Sequence, residues 1–426
     1  MKPLHLTTRP SKEKILLVVI DYKFERSVWS VDQVKEEMKE LVEACGGEVI
    51  DSIVCHLEKP TASYLISTGK LQEIQSFCLA NPVDTVIFSR DLKGSQQRNL
   101  EETIKKRIID RTQLILDIFA RHAKSREGKL QVELAQLAYL MPRLVGRGSE
   151  LSRLGGGIGT LGPGESKLEM DRRRIDERIA RLKNDLKEVI SGRALTRKKR
   201  QGKGVPTVSL VGYTNAGKTT LLNVLAQSDQ LTRDGLFTTL DSVSRQMALP
   251  NHQKIVLTDT VGFMHDLPHH LIESFKATLE EVQEADLLLH VLDVSNPIFR
   301  QLNQAVVEVL RELGVLNKPI ITVLNKIDKL EHKNEMMKNL IDNFDNTVCI
   351  SAKTGENISE LLERVSGMLS FMYTEINVDI PISRMDLVNL VHEEGEVHAI
   401  KYYNDSINIR ALIPTNLVGK FSPKIS

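Results

Sequence analysis

The segment that most restricts the possible fold is the octapeptide G-Y-T-N-A-G-K-T at residues 212–219. Residues 207–211 before it are typical of a buried strand, and residues 221–226 after it are typical of a helix. Glycines in such a loop let backbone N–H groups face phosphate oxygens, and the helix N-terminus adds positive potential. The segment predicts a P-loop in an α/β domain. All its residues are predicted to contact a nucleotide: Gly212, Tyr213, Thr214, Asn215, Ala216, Gly217, Lys218 and Thr219.

Three further motifs follow, each at the end of a predicted strand: D-T-V-G at 259–262, N-K-I-D at 325–328 and S-A-K at 351–353. Because the carboxyl ends of parallel strands meet at one edge of a sheet, we expect the motifs to converge on the P-loop. Asp328 can accept from two N–H donors of guanine that adenine lacks, which predicts GTP and GDP rather than ATP. The predicted contacts are Asp259, Thr260, Val261, Gly262, Asn325, Lys326, Ile327, Asp328, Ser351, Ala352 and Lys353.

The same motifs predict a magnesium site. Lys218 is expected to reach the β- and γ-phosphates, and the Thr219 hydroxyl to bind Mg²⁺. Asp259 would hold this ion through a water molecule, and the N–H of Gly262 would contact the γ-phosphate. A further threonine ligand is expected between the first two motifs, in the segment Phe237, Thr238, Thr239, Leu240 and Asp241. The alternative is that both threonines are only turn or strand residues.

Two positions bear on the rate of hydrolysis. Phe263 stands where Ras-like GTPases have a glutamine that orients the attacking water, and phenylalanine cannot do this. We therefore expect slow intrinsic hydrolysis and a site completed by a partner or a displaced group. His265 is a nearby candidate, and the alternative is that this lone histidine is incidental. Asn215 stands where potassium-activated GTPases have an asparagine, so K⁺ could supply the charge of an arginine finger. Equally, Asn215 could only shape the loop.

The chain divides into four regions by pattern. Residues 1–120 alternate short apolar runs with helical patterns, which predicts a parallel α/β domain with one or two strands within 108–118. Residues 121–202 predict a helical hairpin. Residues 203–370 predict the G domain (the GTP-binding domain). Residues 371–426 predict a small C-terminal α+β segment that is too short for a large core and docks on the G domain.

The hairpin is also the most basic region. Residues 143–203 hold 17 Lys+Arg against 8 Asp+Glu, although the net charge of the chain is only +1. This excess predicts a surface for a polyanion, and the alternative is a highly charged, solvated helix. The predicted helices carry the apolar stripes Leu130, Leu134, Leu137, Met141 and Leu168, Ile175, Ile179, Leu182, Leu186, Val189. Arg143, Arg147 and Arg153, around the glycine-rich loop between the helices, are candidate contacts for such a polyanion, because arginine can pair with phosphate.

Composition limits the cellular setting. The four cysteines have no C-x-x-C spacing, which indicates reduced thiols rather than a disulfide framework or a zinc site. No apolar run approaches the roughly 20 residues that a membrane span needs, and the N-terminus lacks the pattern of a signal peptide. We expect a cytoplasmic monomer.

The most specific sequence lies outside the G domain, in G-G-G-I-G-T-L-G-P-G-E-S-K-L-E at 155–169 and I-L-D-I-F-A at 115–120. Together with F-T-T-L-D at 237–241 and D-T-V-G-F at 259–263, these segments resemble HflX-type ribosome-associated GTPases of the Obg–HflX group. The resemblance covers roughly residues 15–415. It implies that Thr239 rather than Thr238 is the Mg²⁺ ligand. The implied catalytic set is Lys218, Thr239 and Gly262.

The resemblance also implies a partner. A protein of this kind would bind the large ribosomal subunit, and so ribosomal RNA, through residues 143–203, and would split or rescue stalled or idle ribosomes under stress. Hydrolysis would time its release. Two other hypotheses remain: a GTP-loaded switch that recruits a protein partner, and an RNA-remodelling ATPase or helicase acting through the N-terminal domain. Binding through phosphate contacts should fall steeply with salt, which separates the first hypothesis from the second.

Overall fold

The computed structural model describes residues 12–23, 29–144, 167–202, 204–226, 243–251, 253–264, 276–330, 344 and 346–421. Helices and strands are numbered in chain order over these residues. They form two compact units, one made mainly of residues up to Leu186 and the other mainly of residues from Lys187 onward.

The first unit contains a four-stranded parallel sheet with the order β2-β1-β3-β4. Its strands are β1 (Lys14–Tyr22), β2 (Glu48–Leu57), β3 (Thr85–Phe88) and β4 (Arg107–Ile109). Its first helices are α1 (Val31–Ala44), α2 (Thr68–Ala80), α3 (Gly94–Ile104) and α4 (Arg111–His122). Every residue from Ile15 to Ile20 is buried, as expected of a parallel strand covered on both faces. The predicted parallel α/β domain is confirmed.

The prediction of one or two strands within 108–118 holds only as far as Ile109, and it was wrong for residues 111–118, which are helical. Only β4 is a strand, and α4 begins directly after Asp110. The Asp110 carboxylate accepts from the N–H of Gln113 at 2.8 Å, which caps the helix N-terminus. The helix buries Ile115, Leu116 and Ile118, so its apolar residues lie on several faces. The sequence therefore lacks the alternation of apolar and polar residues that marks an amphipathic helix.

Two long helices follow, α5 (Arg126–Leu144) and α6 (Lys167–Gly202). The face of α5 that is fully buried carries Val132, Ala135 and Tyr139, whereas the predicted leucine stripe is half-buried. On α6 the described side chains of the predicted stripe that are buried are those of Leu182 and Leu186. An exposed pair joins the two helices, since Arg178 donates to both carboxylate oxygens of Glu133 at 2.7 and 2.8 Å.

The second unit is built on a six-stranded sheet with the order β10-β9-β8-β5-β7-β6, parallel except for β6. Its strands are β5 (Thr207–Gly212), β6 (Val243–Ala248), β7 (Lys254–Asp259), β8 (Leu287–Asp293), β9 (Ile320–Asn325) and β10 (Thr347–Cys349). Its helices are α7 (Lys218–Leu225), α8 (Lys276–Gln283), α9 (Phe299–Glu312) and α10 (Ile358–Leu369). The carboxyl ends of β5, β7, β8 and β9 therefore lie side by side.

The C-terminal segment continues the second unit. It consists of β11 (Tyr373–Pro381), α11 (Met385–Glu394), β12 (Glu396–Tyr402) and β13 (Ser406–Pro414), in an antiparallel sheet of order β11-β13-β12. The helix and strands enclose a small apolar core. Lys254 of β7 donates to the carbonyl oxygen of Glu393 at 2.8 Å, so the segment contacts the G domain as predicted.

Candidate nucleotide-binding site

The P-loop needs glycine at two places because of space as well as backbone conformation. Gly212 ends β5 with φ +151°, and a Cβ there would collide with the carbonyl oxygen of Val291 on β8. Gly217 has φ +95°, and a Cβ there would collide with the side-chain amide of Asn325. The loop is therefore pressed against two neighbouring strands, and this contact sets its shape.

Lys218 begins α7 and lies almost wholly inside the protein, with 6% of its surface exposed. Its Nζ donates to the carbonyl oxygens of Gly212 at 3.0 Å and Tyr213 at 2.8 Å. Burial lowers the pKa of Lys218 to about 8, an effect that the nearby Asp259 carboxylate opposes. The P-loop thus holds the Lys218 ammonium group against its own backbone carbonyl oxygens.

Thr219 and Asp259, two of the residues predicted to hold Mg²⁺, are in direct contact. The Thr219 hydroxyl donates to Oδ2 of Asp259 at 2.7 Å, and Asp259 has no exposed surface. Hydroxyl and carboxylate oxygens are the hard donors that Mg²⁺ prefers, and Mg²⁺ in such sites takes few protein ligands besides phosphates and water. The two residues fit the predicted ion.

The D-T-V-G segment is joined to the P-loop by backbone hydrogen bonds. The N–H of Phe263 donates to Gly212 O at 3.1 Å, and the N–H of Thr214 donates to Phe263 O at 2.9 Å. A Cβ on Gly262 would lie 2.9 Å from the Cα of Thr214 and 3.0 Å from the Nζ of Lys218. Gly262 therefore lies next to the buried ammonium, and Phe263 is 3% exposed.

The two base-recognition motifs hold each other and the P-loop. Asn325 donates through Nδ2 to Ala216 O at 2.9 Å and accepts through Oδ1 from the N–H of Ala352 at 3.0 Å. The Ser351 hydroxyl donates to Oδ1 of Asp328 at 2.7 Å, and Asp328 is exposed at the surface of the site. Ile327 is buried beneath the motif, and Lys353 is exposed. The motifs that the sequence placed far apart meet at one edge of the sheet.

Some predicted residues lie outside the described residues. They are Phe237, Thr238, Thr239, Leu240, Asp241 and His265, together with Arg147, Arg153 and most of the glycine-rich signature. The roles predicted for them stay predictions.

Arg143 does not have the free guanidinium that an RNA contact would use. Its Nη2 donates to Oδ2 of Asp110 and to Leu92 O, both at 2.7 Å, and its side chain is 18% exposed. The guanidinium carbon lies 3.4 Å from the centre of the Tyr139 ring, and the Tyr139 hydroxyl donates to Asp110 at 2.8 Å. Arg143 therefore neutralises a buried carboxylate within its own unit, and the RNA contact predicted for it stays a prediction.

Sequence reasoning missed one acidic residue of the site. Asp293 ends β8, and its Oδ2 lies 2.7 Å from Nζ of Lys326, which also donates to Asn215 O at 2.8 Å. The signal was present in the sequence, since L-L-L-H-V-L-D ends in an aspartate at the carboxyl end of a buried strand. It matches no familiar nucleotide-binding motif.

Comparison with known proteins identifies the family. Four family models match successive parts of the chain: GTP-binding GTPase N-terminal (residues 32–120), GTP-binding GTPase middle region (122–200), 50S ribosome-binding GTPase (207–326) and HflX C-terminal domain (336–413). A GTPase HflX from Lacrimispora saccharolytica is 42% identical over 412 residues, which is 96% of both chains. One from Escherichia coli K12 is 42% identical over 346 residues, 81% of both chains. The chain belongs to the GTPase HflX family. It is a GTPase, as the site motifs predicted.

Among solved structures, the chain is similar to a GTP-binding protein from Sulfolobus solfataricus in complex with GDP. The identity is 27%, the match covers 84% of this chain and 99% of that one, and the TM-score is 0.43. In the described part of this HflX-family chain, no helix is long and apolar enough to cross a membrane.

Proposed function

We propose that this HflX-family GTPase depends on Mg²⁺, associates with the large ribosomal subunit and splits or rescues stalled or idle ribosomes, with hydrolysis timing its release. Such a partner would place it in the cytoplasm. The observation that carries the ribosome proposal is the basic start of α6. Arg172, Arg173 and Arg174 are all exposed there, next to the glycine-rich signature. Three adjacent exposed guanidinium groups are suited to phosphates of folded RNA.

The site geometry supports separate roles for the residues of the nucleotide site in GTP hydrolysis. Lys218 would neutralise charge on the β- and γ-phosphates, and the N–H of Gly262 would contact the γ-phosphate. Thr219 would bind Mg²⁺ directly, Asp259 would hold it through water, and Thr239 would complete the set. When bound, the ion would neutralise charge on the β- and γ-phosphate oxygens. With Phe263 buried against the P-loop, the water-orienting group would come from elsewhere, which predicts a slow basal rate.

The same proposal gives boundaries to the parts of the chain. We propose an N-terminal domain up to residue 120, a helical hairpin to 202, a G domain to 370 and a C-terminal domain after it. The hairpin would carry the ribosome contact, and the G domain the nucleotide.

The first experiment is GTP hydrolysis by the full chain, alone and with purified large ribosomal subunits. A slow basal rate that rises strongly, with a stimulation that falls steeply as salt increases, supports the proposal. A rate unchanged by the subunits would overturn the ribosome part and leave the GTPase in place. A variant with Arg172, Arg173 and Arg174 replaced by glutamine should lose the stimulation but not the basal rate, because these side chains lie on α6 and outside the nucleotide-binding motifs.

Two ions can be tested in the same assay. Removal of Mg²⁺ by chelation should abolish turnover, and added Mg²⁺ should restore it. Replacing K⁺ by Na⁺ tests Asn215, which is exposed in the loop with φ +62°. Equal rates in the two salts would remove potassium from the proposal.

A further inference from the structure

Asp293 is held in one orientation before it meets Lys326. Its Oδ1 accepts from the N–H of Ser295 at 3.0 Å and from the Ser295 hydroxyl at 2.5 Å. Its other oxygen is thereby directed to the ammonium of Lys326, 2.7 Å away. The two side chains are only 16% and 18% exposed, so water screens this ion pair weakly.

Lys326 carries this constraint to the P-loop. Its Nζ donates to the carbonyl oxygen of Asn215 at 2.8 Å, and its Cε would lie 4.0 Å from a Cβ built on Gly217. Both Asn215 and Lys326 have left-handed backbone conformations, with φ +62° and +66°. Such conformations are disfavoured for residues other than glycine, so they persist only where surrounding contacts hold them. The contacts run from Ser295 through Asp293 and Lys326 to Asn215.

We propose that Asp293 is a positioning residue for guanine-nucleotide binding. Its carboxylate fixes the Lys326 ammonium against the P-loop backbone, and so sets the distance between the phosphate-binding loop and the base-reading Asp328. This rests on the proposed roles of the P-loop and N-K-I-D motifs. A nucleotide spans both motifs and gains affinity when their separation is fixed before binding.

A carboxylate suits this role better than a neutral group. The Lys326 ammonium is partly buried, and a charged acceptor both shortens its hydrogen bond and offsets the cost of removing it from water. The amide of Asp293→Asn keeps an acceptor oxygen but loses the charge. Asp293→Ala removes both, so the two variants should form a graded series.

The test is GDP affinity of the full chain, measured by calorimetry for wild type, Asp293→Asn and Asp293→Ala. We expect Asp293→Ala to raise the Kd for GDP about tenfold, equivalent to about 1.4 kcal/mol, and Asp293→Asn to raise it less. The kcat at saturating GTP should change less than about twofold, because Asp293 touches none of the reacting atoms. Asp386→Ala, which breaks the exposed Arg384–Asp386 pair, is the matched control and should bind GDP as wild type does.

A double-mutant cycle with Lys326→Ala tests whether Asp293 affects GDP binding through Lys326. If Asp293 acts through Lys326, the double variant binds GDP no more weakly than Lys326→Ala alone. Additive losses would overturn the proposal, as would a lowered Tm of nucleotide-free Asp293→Ala with wild-type GDP affinity. Failure of wild type itself to bind GDP would instead contradict the nucleotide site.

Discussion

The Thr219 hydroxyl donates to Oδ2 of Asp259 at 2.7 Å, which joins the first turn of α7 to the end of β7. The two residues are 40 positions apart in the chain, and β5 and β7 are adjacent in the sheet. The proposed Mg²⁺ site is thus built into the contact between two neighbouring strands and the helix that follows one of them.

Replacing Lys218 by alanine should abolish turnover of GTP. The variant loses the only cation that donates to Gly212 O and Tyr213 O among the described residues. It also loses the charge that is proposed to neutralise the β- and γ-phosphates. Loss of at least a thousandfold in kcat/KM, about 4 kcal/mol, is expected. Steady-state phosphate release measures it, and unchanged turnover would contradict the P-loop assignment.

GDP affinity should fall as pH rises above about 8. Without nucleotide, the folded pKa of Lys218 is about 8, below the ordinary 10.5. Burying the charged Lys218 ammonium therefore lowers the stability of the folded protein by its full amount below pH 8. This loss of stability disappears between pH 8 and 10.5, where Lys218 is deprotonated in the folded protein but still protonated in the unfolded chain. Phosphate favours the ammonium, so binding above pH 8 must take up a proton. Calorimetry at pH 7 and 8.8, in buffers of different ionisation enthalpy, measures both effects.

The control for this pH effect is Lys218→Arg, whose guanidinium stays charged throughout. Its affinity can be weaker overall, but it should not change between the two pH values. A wild-type affinity equal at pH 7 and 8.8 would show that Lys218 does not control the pH dependence.

Asp328→Asn should weaken binding of GDP by about 2 kcal/mol and favour xanthine nucleotides, because the charged acceptor for guanine N–H groups becomes an amide. Competition between GDP and XDP measures the change. Ser351→Ala removes the 2.7 Å hydrogen bond that orients Asp328, and about 1 kcal/mol of affinity should be lost without a change of base preference. Unaltered selectivity in Asp328→Asn would remove Asp328 from base recognition.

Gly262→Ala should reduce hydrolysis more than it reduces GDP binding. The new methyl group would press on Thr214 and on the Lys218 ammonium, at 2.9 and 3.0 Å, next to the N–H that is proposed to contact the γ-phosphate. We expect kcat to fall at least tenfold, about 1.4 kcal/mol, with GDP affinity changed about threefold or less. Gly367→Ala is the matched control, because a Cβ on Gly367 meets nothing within 4 Å. Equal losses in both variants would point to general destabilisation.

Arg143→Ala should destabilise the N-terminal unit by about 3 kcal/mol or more, because the wholly buried Asp110 loses the partner of its charge. Burial already raises the pKa of Asp110, and the Arg143 guanidinium opposes that rise. The variant should therefore lose less stability at acidic pH, where Asp110 is protonated, than at neutral pH. Urea unfolding measures this. Arg178→Ala, which breaks only the exposed pair with Glu133, should unfold as wild type does.

Much of the G domain was predictable because its signals are local. Residues 207–226 contain a strand, a glycine-rich loop and the start of a helix. This order specifies a P-loop without information from distant parts of the chain. The helix α4 was not predictable in the same way, since burial on several faces removes the contrast on which periodicity depends. Asp110, as an N-cap residue, was the remaining sequence signal for the start of this helix. It serves at once as helix cap and as partner of Arg143, and only the first role is local.

The class of nucleotide, and the residues proposed to bind it, could be predicted from the amino-acid sequence without a structure, because each motif is a short run whose chemistry depends on its own residue types and spacing. Tertiary structure alone decided which distant residues meet. The strand order β10-β9-β8-β5-β7-β6 differs from the order along the chain, and it brings Asp293, Lys326 and Asn215 together. The fold of the first unit likewise brings Arg143 against the buried carboxylate of Asp110. Such pairings depend on packing between elements far apart in sequence, which local patterns do not record.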